Sequence, residues 1–203
     1  MNRKLLAGMV FGSLLSTGVA SPAWAGTSTL DLKVKSTIEV GTCTAAIYDG
    51  TTQTNTIALG NVPVSQVVNY QSNAGKAFKI RFSDCSGLPN GKANLKIVKR
   101  ANGCGAGGNS NQAGFANSTA AASGGATATA LELWTGSSAG QGTQFHCYTP
   151  DTTTQEINVS AATGSTTVDY DMSARLAMPS GKSLADIQAG SFLGETTFII
   201  SYN

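Results

Sequence analysis

The hexapeptide GCGAGG at 103–108 matches the pattern G-x-G-x-x-G. In a dinucleotide site such glycines let the backbone approach a pyrophosphate at a helix N-terminus, between a strand and a helix. Here NSNQAGF follows, which is too small and polar to open a helix, and the stretch reads as a flexible loop. His146 is the single histidine, so any Ser-His-Asp relay must use it. It stands beside Cys147, and the chain has no G-x-S-x-G elbow, so it reads as a surface histidine. Asp169 and Asp171 fall on one face of a strand, where spaced acids are common on a solvated surface. Cys43, Cys85, Cys104 and Cys147 contain no C-x-x-C spacing, and with one histidine they do not make a zinc site. Asn117-Ser118-Thr119 and Asn158-Val159-Ser160 fit a glycosylation sequon, a pattern too short to carry weight. These residues point to no enzyme, no cofactor and no metal.

The elements that would position any site begin after a leader. Arg3 and Lys4, the apolar run Leu5 to Leu15 and Ala23-Trp24-Ala25 read as a secretory signal peptide over 1–25. Its apolar run is shorter than the ~20 residues of a membrane span. Arg3 and Lys4 account for the whole formal charge of +2, so the remainder is neutral, with no basic block for nucleic acid. In an exported chain, four cysteines read as two disulfides, with three connectivities open.

Short alternating runs separated by Gly, Asn and Ser predict strands. Leu30, Leu32, Val34, Ile38 and Val40 share one face, with Ser36 as its small member. Phe78, Ile80 and Phe82 face one way, Lys79 and Arg81 the other. NLKIVK (94–99) and ALELW (130–134) are further strands, and an edge piece is expected near Ile57 and Leu59. In 168–178, Val168, Tyr170, Met172, Ala174, Leu176 and Met178 are expected inward. Asp169, Asp171, Ser173 and Arg175 are expected outward. The last strand is expected from about Phe192 to Tyr202, with Gly190, Phe192, Gly194, Phe198, Ile200 and Tyr202 on one face. SLADIQAG (183–190) makes one helical turn or a loop. The segment 101–128 holds Gly, Ala, Asn and Ser around a single large apolar residue, Phe115, and reads as a long mobile loop. The pattern predicts an antiparallel sandwich.

The two ends together resemble pilin subunits of the chaperone–usher pathway, of the type 1-like fimbrial kind. GSFLGETTFIISYN places Gly190 fourteenth from the end, with alternating apolar residues and a penultimate Tyr202. SARLA (173–177) is similar to the family's Ala-Arg segment before the last strand. Cys43 and Cys85 are placed like the family's disulfide, and STLDLKVKSTIEVGTC looks like its N-terminal extension and first strand. Three departures stand out: the extra Cys104 and Cys147, the long 101–128 loop, and Ser36 where the donor strand usually has Gly.

The resemblance implies an all-β, incomplete immunoglobulin-like sandwich of six main strands, with a seventh supplied in trans by a donor strand. The implied domains are the 1–25 signal peptide, a 26–36 donor extension and a 37–203 pilin domain. It implies a Cys43–Cys85 bond, and a Cys104–Cys147 bond is expected to staple the loop. Leu30, Leu32, Val34, Ser36 and Ile38 are the implied donor residues. Gly190, Phe192, Phe198, Ile200 and Tyr202 are the implied acceptor groove, filled first by a periplasmic chaperone and then by the next subunit. Such pairing adds a strand to an open sheet edge, with main-chain bonds for affinity and alternate side chains in pockets. Burying Leu30, Leu32, Val34 and Ile38 is worth at most on the order of 6–12 kcal/mol. The implied role is a structural subunit of a surface fimbria that contributes to cell adhesion. Its partners are the chaperone, the outer-membrane usher and neighbouring pilins, with export through the periplasm. The alternative is a minor tip subunit that binds a host receptor or glycan through 101–147.

Overall fold

The structure is a computed structural model that describes residues 41–70, 75–100, 103–105, 108–109 and 112–202. The donor residues Leu30, Leu32, Val34, Ser36 and Ile38, and the leader, lie outside them. In chain order the elements are β1 (Thr42–Asp49), β2 (Thr52–Gln53), α1 (Val64–Val68), β3 (Gly75–Ser86), β4 (Lys92–Lys99), β5 (Gly103–Cys104), β6 (Gly108–Asn109), β7 (Phe115–Ala116), β8 (Ala130–Thr135), β9 (Gln155–Asn158), β10 (Val168–Ala177) and β11 (Thr196–Tyr202). Short turns of tight helix join some of them, including Leu184–Asp186 within the SLADIQAG segment.

The strands pair into two sheets, ordered β2-β1-β3-β10-β8-β7-β5-β6 and β11-β4-β9. Phe78, Ile80 and Phe82 of β3 join Leu95 and Ile97 of β4 and Met172 of β10 in one buried cluster. Period 2 put these side chains on the inner face, and sheet-on-sheet packing removes them from water. Both expected disulfides are present. Cys43–Cys85 joins β1 to β3, and Cys104–Cys147 ties β5 to the segment after β8. Each spans more than 40 residues of chain (separations 42 and 43). Closing loops of that length is worth on the order of 4 kcal/mol apiece in loop entropy.

The 101–128 segment differs from the loop expected. Its described parts supply β5, β6 and β7 to the large sheet, and Phe115 on β7 pairs with Leu131 of β8 in the core. Besides Phe115 and the disulfide, Asn117 Nδ2 donates to Ala126 O and Ser191 O, and the Ser118 and Ala126 amides donate to Leu193 O and Ser191 O, so hydrogen bonds also hold the segment. Ile57 and Leu59 form no strand, although both pack against the core. β1, β9 and α1 were not legible as elements. TCTAAIYD has weak alternation and a bulge between Thr42 and Thr44, so its pairing with β3 defines it. β9 and α1 are too short to show a period.

The outward face of β10 also departs from expectation. Asp169 and Asp171 are exposed, but Ser173 and Arg175 are 1% and 7% exposed. Helix α1 packs on this half of β10, and the Met178 amide donates to Val67 O. A second, smaller buried layer therefore lies on the outside of the large sheet.

Nearer its start, β10 is tied to β3 by charge. Asp169 accepts from Arg81 Nε (2.7 Å) and Nη2 (2.9 Å) and pairs with Lys79 Nζ at 2.6 Å. The Arg81 hydrogen bonds, with Lys79 second, hold the Asp169 carboxyl at about 2, below its ordinary 3.8. A carboxyl lowered in the folded state stabilises at pH values above its unfolded pKa, and that contribution is lost as pH falls through about 2. With solvent screening, Asp169→Asn is expected to cost on the order of 1 kcal/mol at pH 7. It should also flatten the loss of stability between pH 4 and pH 2. Urea unfolding across that range checks this, and an unaltered acid limb in the variant would remove Asp169 from the account.

Candidate functional site

β11 pairs with β4 along its whole length, from Thr196↔Lys99 to Tyr202↔Ala93. It ends its sheet, and among the described residues no strand lies on its other edge. The two paired strands differ sharply in cover. Ala93, Leu95 and Ile97 of β4 are each 0% exposed. Their register partners Tyr202, Ile200 and Phe198 are only half-buried. The same sandwich thus seals one strand and leaves its neighbour's inner face partly open.

Two contacts locate the seam. The Phe78 ring on β3 meets Phe198 edge-on, with centroids 6.5 Å apart and planes at 81°. Tyr202 Oη donates to Cys43 O on β1 at 3.1 Å. Burial raises the Tyr202 hydroxyl pKa above its ordinary value. β1 is near the other border of the large sheet. Its outer edge pairs with β2 at Tyr48 and Asp49, the Thr54 amide donates to Ile47 O at 2.9 Å, and among the described residues no strand pairs there along Thr42–Ala46. β11 and β1, from different sheets, are thus joined at Tyr202, and the inward residues of β11 are half-buried. Strand edges offer unpaired N–H and C=O groups, and an extended segment laid along one can bond to its main chain while covering half-buried side chains with its own alternate ones.

Phe198, Ile200 and Tyr202 share the half-buried face of β11 and, like Phe192, pack against the core. Gly190 and Gly194 do not share the β11 face by parity, because β11 begins only at Thr196. Residues 191 and 194 instead form single bridges to Gly125 and Asn117. A Cβ on Gly190 would lie 2.5 Å from Gly124 O, and one on Gly194 2.7 Å from Leu131 Cδ2. The smallness of both glycines serves packing within the chain. Alternation among 190, 192 and 194 imitated strand period without the pairing that makes a strand.

The other candidate chemistry is dispersed. His146 Nδ1 lies 3.3 Å from Thr149 Oγ1, and its amide donates to Thr153 Oγ1. The GCGAGG stretch carries strands at 103–104 and 108–109 where the dinucleotide pattern requires a helix. Among the described residues no group of three or more His, Cys, Asp or Glu could hold a metal ion. Sequence reasoning missed a different cluster. Arg175 Nε donates to Glu132 Oε2 at 2.7 Å, Arg175 Nη1 donates to Tyr70 O at 2.8 Å, and the guanidinium lies near the Tyr70 and Trp134 rings. The only sequence signal was a charge of each sign mid-strand, and the β8–β10 register that opposes them is not readable locally.

No family model matches the chain. It is 39% identical over 184 residues to the fimbrial-like protein YadL of Escherichia coli (strain K12), covering 89% of this chain and 88% of that protein. The chain belongs to the fimbrial-protein family. The fold of this fimbrial protein matches the crystal structure of the P pilus rod subunit PapA, with a TM-score of 0.50 at 13% identity. That match covers 78% of this chain and 99% of that one. A chaperone–usher pilus structure is also similar, with a TM-score of 0.41 at 15% identity over 90% of this chain and 98% of that one. The sandwich is the immunoglobulin-like fold of chaperone–usher pilins. Family and fold together make the protein a fimbrial protein with a pilin-type sandwich.

Proposed function

We propose that this subunit polymerises by donor-strand exchange. The acceptor is the cleft bordered by β11 and β1, with Phe198, Ile200 and Tyr202 as its floor and Phe192 beside it. The observation that carries this reading is the step in exposure between the inward residues of β4, fully buried, and those of β11, half-buried, at an edge without a described strand. The donor is the 26–36 extension of the next subunit, continuing to Ile38. Leu30, Leu32, Val34 and Ile38 supply the alternate apolar side chains, and Ser36 the small one. After removal of the 1–25 signal peptide, a periplasmic chaperone fills the cleft, an outer-membrane usher exchanges it for the donor, and the subunit emerges in a surface fimbria. The role is mechanical and adhesive, with no catalytic step.

Deleting Gly26 to Ser36 tests the donor half. The truncated subunit is expected to co-purify with its chaperone at native levels and to be absent from internal positions of fibres. Its recovery as an internal link, detected by cross-linking of sheared fimbriae, would remove the donor assignment.

A second reading, in which the 101–147 segment is itself a contact surface, draws on a separate observation. Its described parts are stitched into the large sheet by β5, β7 and β8 and bound by Cys104–Cys147. Loops carried on a rigid scaffold are where binding residues concentrate.

A further inference from the structure

A cavity of about 380 Å³ opens over the outer face of β8 and β10. Its wall takes in Tyr70, Gln112, Gly114, Glu132, Gln144 and Met178. That volume is toward the low end of small-molecule sites, roughly 300–1,000 Å³. We propose that it binds a neutral saccharide unit. The inference rests on the reading of 101–147 as a contact surface and gives that surface a site and a ligand class.

Charge decides against an ion. Glu132 is the one formally charged residue in the wall, and its Oε2 already accepts from Arg175 Nε (2.7 Å) and Trp134 Nε1 (3.1 Å). The Glu132 and Arg175 side chains are 13% and 9% exposed, so the pair is neutralised within the fold. An ionic ligand would have to leave water for a site without net charge.

Hydrogen-bonding capacity decides for a polyol. Glu132 Oε1 has no hydrogen-bond partner among the described residues, and neither has the Gln144 carboxamide. Gln112 spends one amide N–H on Ser180 O (2.7 Å) and keeps its oxygen and second N–H. The wall therefore offers a carboxylate acceptor and two amides that both donate and accept. Adjacent sugar hydroxyls, each donor and acceptor, match that set. Tyr70 is 42% exposed and its hydroxyl is fixed on Met178 O at 2.7 Å, so its ring is held in place as a flat apolar wall. A sugar presents a face of C–H groups to such a ring and its hydroxyls to the amides. Arg175, beneath, orients both Glu132 and the Tyr70 backbone, and acts as a positioning residue.

Purified fimbriae carrying the full-length chain are tested on an array of galactose, mannose, N-acetylglucosamine and their disaccharides, beside sialylated and sulfated counterparts. The native chain is expected to retain at least one neutral member. Gln144→Ala, which removes no bond within the fold, is expected to weaken that binding about tenfold per mass of fibre, with fibre assembly unchanged. Saturation transfer between the sugar and tyrosine ring protons, lost in Tyr70→Leu, reads the native site independently. Retention of no neutral member, or of acidic members alone, overturns the proposal. So does native-strength binding by both Gln144→Ala and Tyr70→Leu. That last result would leave the 101–147 surface as a glycan contact elsewhere, and none of these outcomes bears on donor-strand exchange.

Discussion

The double variant Phe198→Asp/Ile200→Asp is expected to lose chaperone capture and to disappear from the periplasm. Both side chains lie on the half-buried face of β11, opposite Ile97 and Leu95, which are fully buried. Each contributes about 1.5–3 kcal/mol when an incoming strand completes its burial, an upper figure because part is buried already. Losing about 3–6 kcal/mol weakens capture roughly 10²- to 10⁴-fold. The introduced carboxylates add a desolvation cost, because a strand closing over them removes their water. Ile199→Asp is the matched control. Ile199 lies between these residues on the opposite face and is 42% exposed, so the same chemical change there should leave capture near native. Thr197 and Ser201 share that exposed face, and their replacement should do as little. Chaperone co-purification is the measurement. Full retention by the double variant, at normal subunit levels, would take the β11 cleft out of the assembly mechanism.

Glu132→Ala is expected to be the most destabilising single change on the other side of the large sheet. It leaves the Arg175 guanidinium, 9% exposed, with a backbone carbonyl and two aromatic rings but no counter-charge. Breaking a buried pair from one side costs about 3–5 kcal/mol, because the remaining charge stays desolvated. Replacing both partners, as Glu132→Leu/Arg175→Met, removes the charge along with its partner and should return most of that loss. Urea unfolding of fimbrial subunits compares the three. If Glu132→Ala unfolds like the native subunit, the guanidinium is reaching water, and the second buried layer over β10 is looser than its packing indicates. Because Trp134 Nε1 also donates to Glu132 Oε2, indole fluorescence should shift in the single variant.

Local period explains what the amino-acid order alone determined. Phe78, Ile80 and Phe82, the inward half of β4, and Phe198, Ile200 and Tyr202 each declare a buried face through alternation, a property of neighbouring residues that needs no partner. Family resemblance supplied the Cys43–Cys85 bond, which the structure contains, and the role proposed here for the last strand, both carried by short motifs in fixed order. Three features came only from the tertiary structure. β1 is a strand because β3 pairs with it, since TCTAAIYD has little alternation of its own. Arg175 is buried because α1 and Tyr70 just after it, some hundred residues earlier in the chain, pack on β10. Phe115 joins the core, and the segment around it joins the large sheet, because β7 meets β8 and Cys104 meets Cys147. In each case the deciding contact spans a long stretch of chain. Alternation says which face of a strand avoids water, but which element covers that face depends on register and on loop closures between residues far apart, and no local pattern encodes these.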